Sequence, residues 1–502
     1  MLRLLLLPVL LAPPTTASSV GHILHFSDVH LNLSDSSSAS EKEDGHVRYF
    51  ADAPLTLFES ALRYAKEQVV ADPELLLYTG DHAVHGSLAD RYIANVVETN
   101  VRAMERYYPS KRGALDVTAV IGNADGSPDY HMEVTDPKTE TNPSIELISH
   151  AWDDLLSAGN MDSLNRRGYL SYALSDRLHV ITLNTVPYSP NHVPDTSNQP
   201  DPFGQFAWLD KTLAELRGAG KSAYIAGHIA PIVDSYGGDP QWHTHYIVKY
   251  KSIVGKYADV IKAQFFGHVH SIEFRAPVMS LDGAGAENDA FQLLPLYISG
   301  SISPLFGNNP SFMVWEYDTD THEVCDYAVY GSDISDSQPQ LNWKLLFKAS
   351  DAYGLKSLSL TEISAFVRRA EQNASLVEDY YWNMKARSPN AGACKDAVCR
   401  AKTLCSLKWW TTRGEYLACL DTVRATKAGH VLHHDGTEAS VSAAIIAEAS
   451  LRDYGTKDVL MTISATAVAT VVAVVCVTLT VYALRRRGIL KYPMAYEPVT
   501  TF

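Results

Sequence analysis

Five short stretches of this chain place carboxylate, imidazole and carboxamide side chains at intervals suited to holding metal ions. In chain order they are Asp28-Val29-His30, Gly80-Asp81, Gly122-Asn123, Gly227-His228 and Gly267-His268-Val269-His270. One Asp-x-His or one Gly-Asp means little, since a lone buried histidine is commonly a core residue bonded to a backbone carbonyl. The ordered set of five is different, because a pair of divalent cations needs a bridging carboxylate with imidazole and oxygen donors around it. Asp81 is the natural bridge; Asp28, His30 and His270 are assigned to one ion, and Asn123, His228 and His268 to the other. A metal-bridging hydroxide, its pKa lowered by the cations, would attack phosphorus in line. The pattern therefore predicts hydrolysis of a phosphodiester or phosphoanhydride.

Each cluster follows an apolar, strand-like run, over residues 23–27, 75–79, 117–121, 223–226 and 263–266. Strands that end side by side deliver their terminal residues into one crevice at the carboxyl edge of a sheet. Four of the five clusters carry a glycine, read here as permission for a tight turn. Amphipathic helical stretches lie between the runs; after Pro54, residues Phe58, Ala61, Leu62, Ala65 and Val69 recur at helical spacing. The alternation predicts a layered α/β (α+β) domain over 20–342. From Trp343 the pattern becomes helical, a small C-terminal domain over 343–426, followed by a linker or stalk over 427–458. A chain of 502 residues has room for one large and one smaller domain.

The ends of the chain predict its setting. Met1-Leu2-Arg3, an apolar run to Leu11 and small residues to Ala17 read as a signal peptide over 1–17. Residues 459–484 hold no Asp, Glu, Lys, Arg or His, the pattern of a transmembrane helix, and Arg485-Arg486-Arg487 would keep the tail 485–502 cytosolic. The expectation is a single-pass type I membrane protein with a lumenal or extracellular catalytic domain, in a lysosome or vacuole, an endosome or at the cell surface. The tail's Tyr496-Glu497-Pro498-Val499 has the form of an endosomal sorting signal. Of six cysteines, Cys476 falls in the expected span, and Cys394, Cys399, Cys405 and Cys419 cluster. In an oxidising lumen the cluster implies two disulfides with three connectivities open, leaving Cys325 unpaired. Asn32-Leu33-Ser34 and Asn373-Ala374-Ser375 are glycosylation sequons. A net charge of -15 argues against a nucleic-acid-binding groove.

The motif order resembles that of the calcineurin-like metallophosphoesterases. Gly227-His228-Ile229-Ala230-Pro231, the run Gln264 to His270, Asn309-Pro310-Ser311-Phe312, Trp343-Lys344-Leu345-Leu346, Tyr353-Gly354-Leu355 and the cysteine cluster are similar to the acid sphingomyelinase branch and its acid-sphingomyelinase-like phosphodiesterases. The resemblance implies a four-layer β-sandwich flanked by helices, with two divalent ions, zinc for preference, although the donor set also suits iron and manganese. It implies disulfides Cys394 with Cys399 and Cys405 with Cys419. It puts His85, four residues past Asp81, against the substrate phosphate as acid or orienting group, with Asn123 also meeting substrate.

Three departures bear on the substrate. Most relatives follow the metal-binding asparagine with a histidine that protonates the leaving group; here that position is Ala124. Little chain precedes Asp28, so no saposin-like lipid-extracting domain is expected before it, and Ala51 stands where the branch has an early cysteine. The leading expectation is a dinuclear-metal phosphodiesterase of the acid-sphingomyelinase-like type. An alternative uses the same site as an endopolyphosphatase or nucleotide pyrophosphatase, whose leaving phosphate needs no proton. A third is a catalytically silent receptor or adhesion ectodomain.

Overall fold

The structure, a computed structural model, describes residues 19–33, 47–109, 119–277, 293–335 and 341–432. Its strands in chain order are β1 (Val20–Phe26), β2 (Leu75–Tyr78), β3 (Leu170–Ala173), β4 (Leu178–Thr182), β5 (Ser222–Ala226), β6 (Ile261–Phe266), β7 (Glu273–Pro277), β8 (Leu296–Ile298), β9 (Ser311–Asp318), β10 (Val324–Gly331), β11 (Lys344–Lys348) and β12 (Lys408–Trp409). They form a five-stranded sheet ordered β11-β10-β9-β1-β2 and a seven-stranded sheet ordered β12-β7-β8-β6-β5-β4-β3.

The two-residue period of a strand sets the layers. On β1, Phe26 meets Phe58 of the helix Leu55–Tyr64 with ring centroids 5.6 Å apart, while His25 faces Phe265 of β6 at 6.0 Å. Phe265 and Tyr297 in turn pack on Trp315 of β9 at 4.9 and 5.2 Å, so aromatic rings fill the space between the sheets. On the far side of the seven-stranded sheet, Ile225 and Phe266 share a core with Leu213 of the helix Gln205–Gly218 and Tyr250 of the helix Thr244–Lys256. The result is a helix, sheet, sheet, helix arrangement of mixed α/β type.

Register brings the ligand-bearing loops together. β1 and β2 are parallel with Phe26 opposite Tyr78, and β5 and β6 are parallel with Ala226 opposite Phe265. Both pairs therefore end level, and the segments carrying Asp28, Asp81, His228 and His268 leave from neighbouring points. The run before Asn123 departs from expectation: residues 119–122 form no strand. Its last residue, Gly122, instead donates its amide to the Asp125 carboxylate, as described below.

The chain after Trp343 adds β11 to one sheet and β12 to the other, and residues to Arg424 form one compact unit. Phe366 and Tyr380, from helices Leu360–Gln372 and Ala374–Met384, pack on Phe274 of β7 at 5.6 and 5.2 Å. The structure pairs Cys394 with Cys399 and Cys405 with Cys419, and Cys325 is free and exposed. The expected architecture needs correction at its C-terminal membrane helix. Among the described residues no helix is long and apolar enough to cross a membrane, and the run 459–484 lies outside them, as do residues 1–17 and 485–502.

Candidate metal centre

Five of the candidate ligands sit in backbone conformations that side-chain-bearing residues rarely adopt. Asp28, His30, Asp81, His268 and His270 have φ of 50, 44, 57, 76 and 50°. A non-glycine residue in this left-handed region costs on the order of 1–2 kcal/mol, so the surroundings must hold it there. They do so by cross-loop hydrogen bonds: the amides of Asp28 and His30 donate to the carbonyls of Gly80 and Asp81 at 3.1 and 3.2 Å. The glycines answer a different need from the one read in the sequence. A Cβ on Gly122 would lie 2.1 Å from Asp81 Oδ1 and 2.2 Å from the Asp81 amide nitrogen; one on Gly267 would meet Ser27 Oγ at 2.1 Å. They clear room for the carboxylates, and of the four motif glycines only Gly80, at φ 91°, makes a left-handed turn.

The donors fall into two groups that meet at Asp81. Asp28, His30 and His270 offer one atom each, all close together, and so do Asp81, His228 and His268. Asp81 Oδ2 lies 3.4 Å from His30 Nε2 and 3.2 Å from His228 Nε2, while its Oδ1 accepts the Ala124 amide at 2.8 Å. His270 Nε2 stands 3.5 Å from Asp28 Oδ1 and 3.0 Å from His30 Nε2. Asn123 Oδ1 is 3.0 Å from His228 Nε2. All seven residues assigned from the sequence thus surround one point.

Neighbouring groups orient these donors. His30 Nδ1 donates to the Ala83 carbonyl at 2.9 Å and His228 Nδ1 to that of Thr79 at 2.7 Å, which turns both Nε2 atoms toward the other donors. His268 is turned the other way: its Nε2 meets Gln241 Oε1 at 3.0 Å, and Nδ1 faces the site. Gln241 is in turn held by Asp234 at 3.0 Å. Asp125 accepts from the amides of Gly122, His82 and Ala83 at 2.8, 2.7 and 3.2 Å, fixing the loop that carries Asn123. Gln241 and Asp125 carry no spacing signal, since each acts on a ligand from outside the five motifs.

Three of the four imidazoles are held in the form that ligates. Burial pushes the Asp28 carboxyl up to about 7, with His228 opposing and the like charge of Asp81 adding to the rise. Burial also raises Asp81, but His228 and His30 outweigh it and hold that group well below its usual range. Burial drives His30 down to about 4, His268 to about 3 and His270 well below its ordinary value, so these imidazoles are neutral, the form that ligates. His228 is the exception; burial lowers it, yet Asp81 lifts it to about 9. Convergent neutral imidazoles, two buried carboxylates, and orphaned Asn123 Nδ2 and His270 Nδ1 atoms fit a two-cation site.

His85 lies at the exposed rim, its ring 4.4 Å from that of His30 between centroids and its ligand atom close to those of His30 and Asp81. Ala124 is buried and offers only its backbone amide. Of the two sequons, Asn373 is exposed and caps a helix by accepting from the Ser375 amide, whereas the Asn32 carboxamide is half-buried and accepts from Tyr92.

Comparison with known proteins matches residues 21–271 to the family described as calcineurin-like phosphoesterase. The chain is a calcineurin-like phosphoesterase. Residues 296–426 of this phosphoesterase match the acid sphingomyelin phosphodiesterase C-terminal region, which covers the segment that completes both sheets. The chain is 28% identical over 320 residues to sphingomyelinase phosphodiesterase D of Dictyostelium discoideum, covering 62% of this chain and 69% of that one. It is 27% identical over 361 residues to the human acid sphingomyelinase-like phosphodiesterase 3b, covering 69% and 75%. It is 25% identical over 431 residues to the cyclic GMP-AMP phosphodiesterase SMPDL3A of Bos taurus, covering 79% and 90%. Members of the family use two metal ions, and hydrolysis of phosphodiesters is the activity these relatives share.

Proposed function

We propose that this phosphoesterase hydrolyses a phosphodiester whose leaving group is an alkoxide, as in the relatives named for sphingomyelin and cyclic GMP-AMP. The observation that carries the reading is that Asp81 forms one donor trio with His228 and His268 and lies 3.4 Å from His30 of the trio Asp28, His30 and His270. When bound, two divalent cations supply an attacking hydroxide and neutralise charge on the phosphoryl oxygens. Asp28, His30 and His270 hold one cation, Asn123, His228 and His268 the other, and Asp81 both. The Asn123 Nδ2 group, which has no protein partner, donates to a phosphoryl oxygen and orients the ester. His85, at the mouth, passes a proton to the departing oxygen. Zinc is the cation that best suits four imidazoles and two carboxylates in an oxidising compartment, and the two disulfides support a lumenal or extracellular setting.

A second reading, phosphoanhydride hydrolysis, is favoured by Ala124, because a departing phosphate needs no proton. The purified protein assayed on bis(4-nitrophenyl) phosphate, sphingomyelin, ATP and long-chain polyphosphate separates the two. Turnover of diesters that stops with a chelator, returns with zinc and is lost in Asp81→Asn supports the first reading. Hydrolysis confined to ATP or polyphosphate would replace it with the second.

A further inference from the structure

The loop that carries Ala124 reaches the mouth of the site a second time. Asp129, five residues after Ala124, places Oδ2 2.7 Å from His85 Nδ1 and accepts the Gly86 amide at Oδ1, also at 2.7 Å. The same two loops are joined again by Ser127, whose Oγ accepts from the Leu88 amide at 2.9 Å and donates to the Leu88 carbonyl at 2.6 Å. His85 is thus clamped by one neighbouring loop, with its ring lying over His30. None of the ligand motifs required an acidic residue at this position.

We propose that Asp129 is a positioning residue that fixes the ring and tautomer of His85, so that this histidine serves as the acid toward the leaving group. The inference rests on the phosphodiesterase reading above. A proton on Nδ1 is committed to Asp129, which leaves Nε2 as the nitrogen presented to a bound ester; a carboxylate performs this service for an imidazole wherever the two act as a pair. In the step itself the attacking hydroxide oxygen forms a bond to phosphorus as the bond to the leaving oxygen breaks. The Nε2 proton passes to that oxygen, the product leaves as an alcohol, and neutral His85, still bonded to Asp129 through Nδ1, regains a proton from solvent. Without Asp129 the exposed ring is free to turn, and either nitrogen can carry the proton.

The test uses two synthetic diesters, methyl 4-nitrophenyl phosphate and methyl phenyl phosphate, which differ in how much their leaving group needs a proton. General acid help contributes about 10²-fold or more where the leaving group is poor, so Asp129→Asn and His85→Gln should each lower kcat on the phenyl ester by about 100-fold. On the nitrophenyl ester the loss in each variant should be at least about tenfold smaller than on the phenyl ester, with bound metal retained in Asp129→Asn. In the double variant, Asp129→Asn should add nothing to His85→Gln. Should Asp129→Asn fail to fold, Asp129→Glu keeps the charge one methylene out of place and should show the same selective loss in smaller measure. Equal losses on both esters, loss of metal, or additive effects in the double variant would overturn the role given to Asp129. If the unaltered protein hydrolyses neither ester, the phosphodiesterase reading itself fails.

Discussion

Replacing Gly122 with alanine tests how the site is built, because the added atom strikes the bridging aspartate from a fixed direction. The new Cβ would lie 2.1 Å from Asp81 Oδ1, 2.2 Å from the Asp81 amide nitrogen and 2.8 Å from its Cα. Carbon and its neighbours settle at about 3.5–4 Å, so one partner must move by more than about 1 Å. Two of the three atoms struck are backbone, and Asp81 is already strained at φ 57°, so no rotamer change relieves the contact. Overpacking of this kind costs about 1–3 kcal/mol of stability. The effect on chemistry is larger, since a metal ligand tolerates only about 0.2 Å and a misplacement of about 1 Å lowers turnover about 100-fold. Gly122→Ala should therefore bind fewer than two metal ions by elemental analysis and lose about 100-fold or more in kcat/KM on bis(4-nitrophenyl) phosphate. Gly159→Ala is the control: nothing lies within 4 Å of its Cβ, it begins a helix, and activity should not change. A Gly122→Ala protein with two metal ions and near-normal turnover would refute the close-approach argument.

Other outcomes follow from the same geometry. Gln241→Leu removes the acceptor that turns His268 and should weaken metal binding about 10- to 100-fold, measured by titration against a competing chelator. His82 is fully buried between Tyr78 and Trp152, with neither ring nitrogen bonded, and burial drives it down to about 3. Its folded value lies below the unfolded one, so below pH 6.5 the unfolded chain alone gains the proton and stability falls. His82→Phe should recover about 2 kcal/mol at pH 5 relative to pH 7.5, read from melts at the two values; an unchanged pH dependence would contradict this. Replacing Cys405 and Cys419 by serine opens a loop of 14 residues and should cost about 3 kcal/mol, seen as a lower melting temperature with metal content intact.

The candidate metal ligands are legible because few side chains bind divalent cations, and strands that end level carry them at the first residues of the following loops. Asp28, Asp81, His228 and His268 could therefore be read from short motifs. What spacing cannot express is backbone conformation: aspartate and histidine are enriched in the left-handed region, but that preference alone does not single out Asp28, His30, Asp81, His268 and His270. Glycine itself was misread at 122 and 267, where the cause is a carboxylate in the neighbouring loop rather than a turn. The run before Asn123 reads as a strand because it is apolar; it is buried outside both sheets, and Asp125 joins its last residue, Gly122, to the loop carrying His82. Gln241 and Asp129 come from segments distant in sequence from the residues they orient, so only the fold reveals them.

Seven side chains are proposed to hold two cations about one aspartate. Anomalous diffraction from crystals grown with zinc, measured on either side of the zinc absorption edge, tests this most directly. Two peaks are predicted, one flanked by Asp28, His30 and His270 and one by Asn123, His228 and His268, both touching Asp81. A single peak, or peaks away from Asp81, would contradict the account.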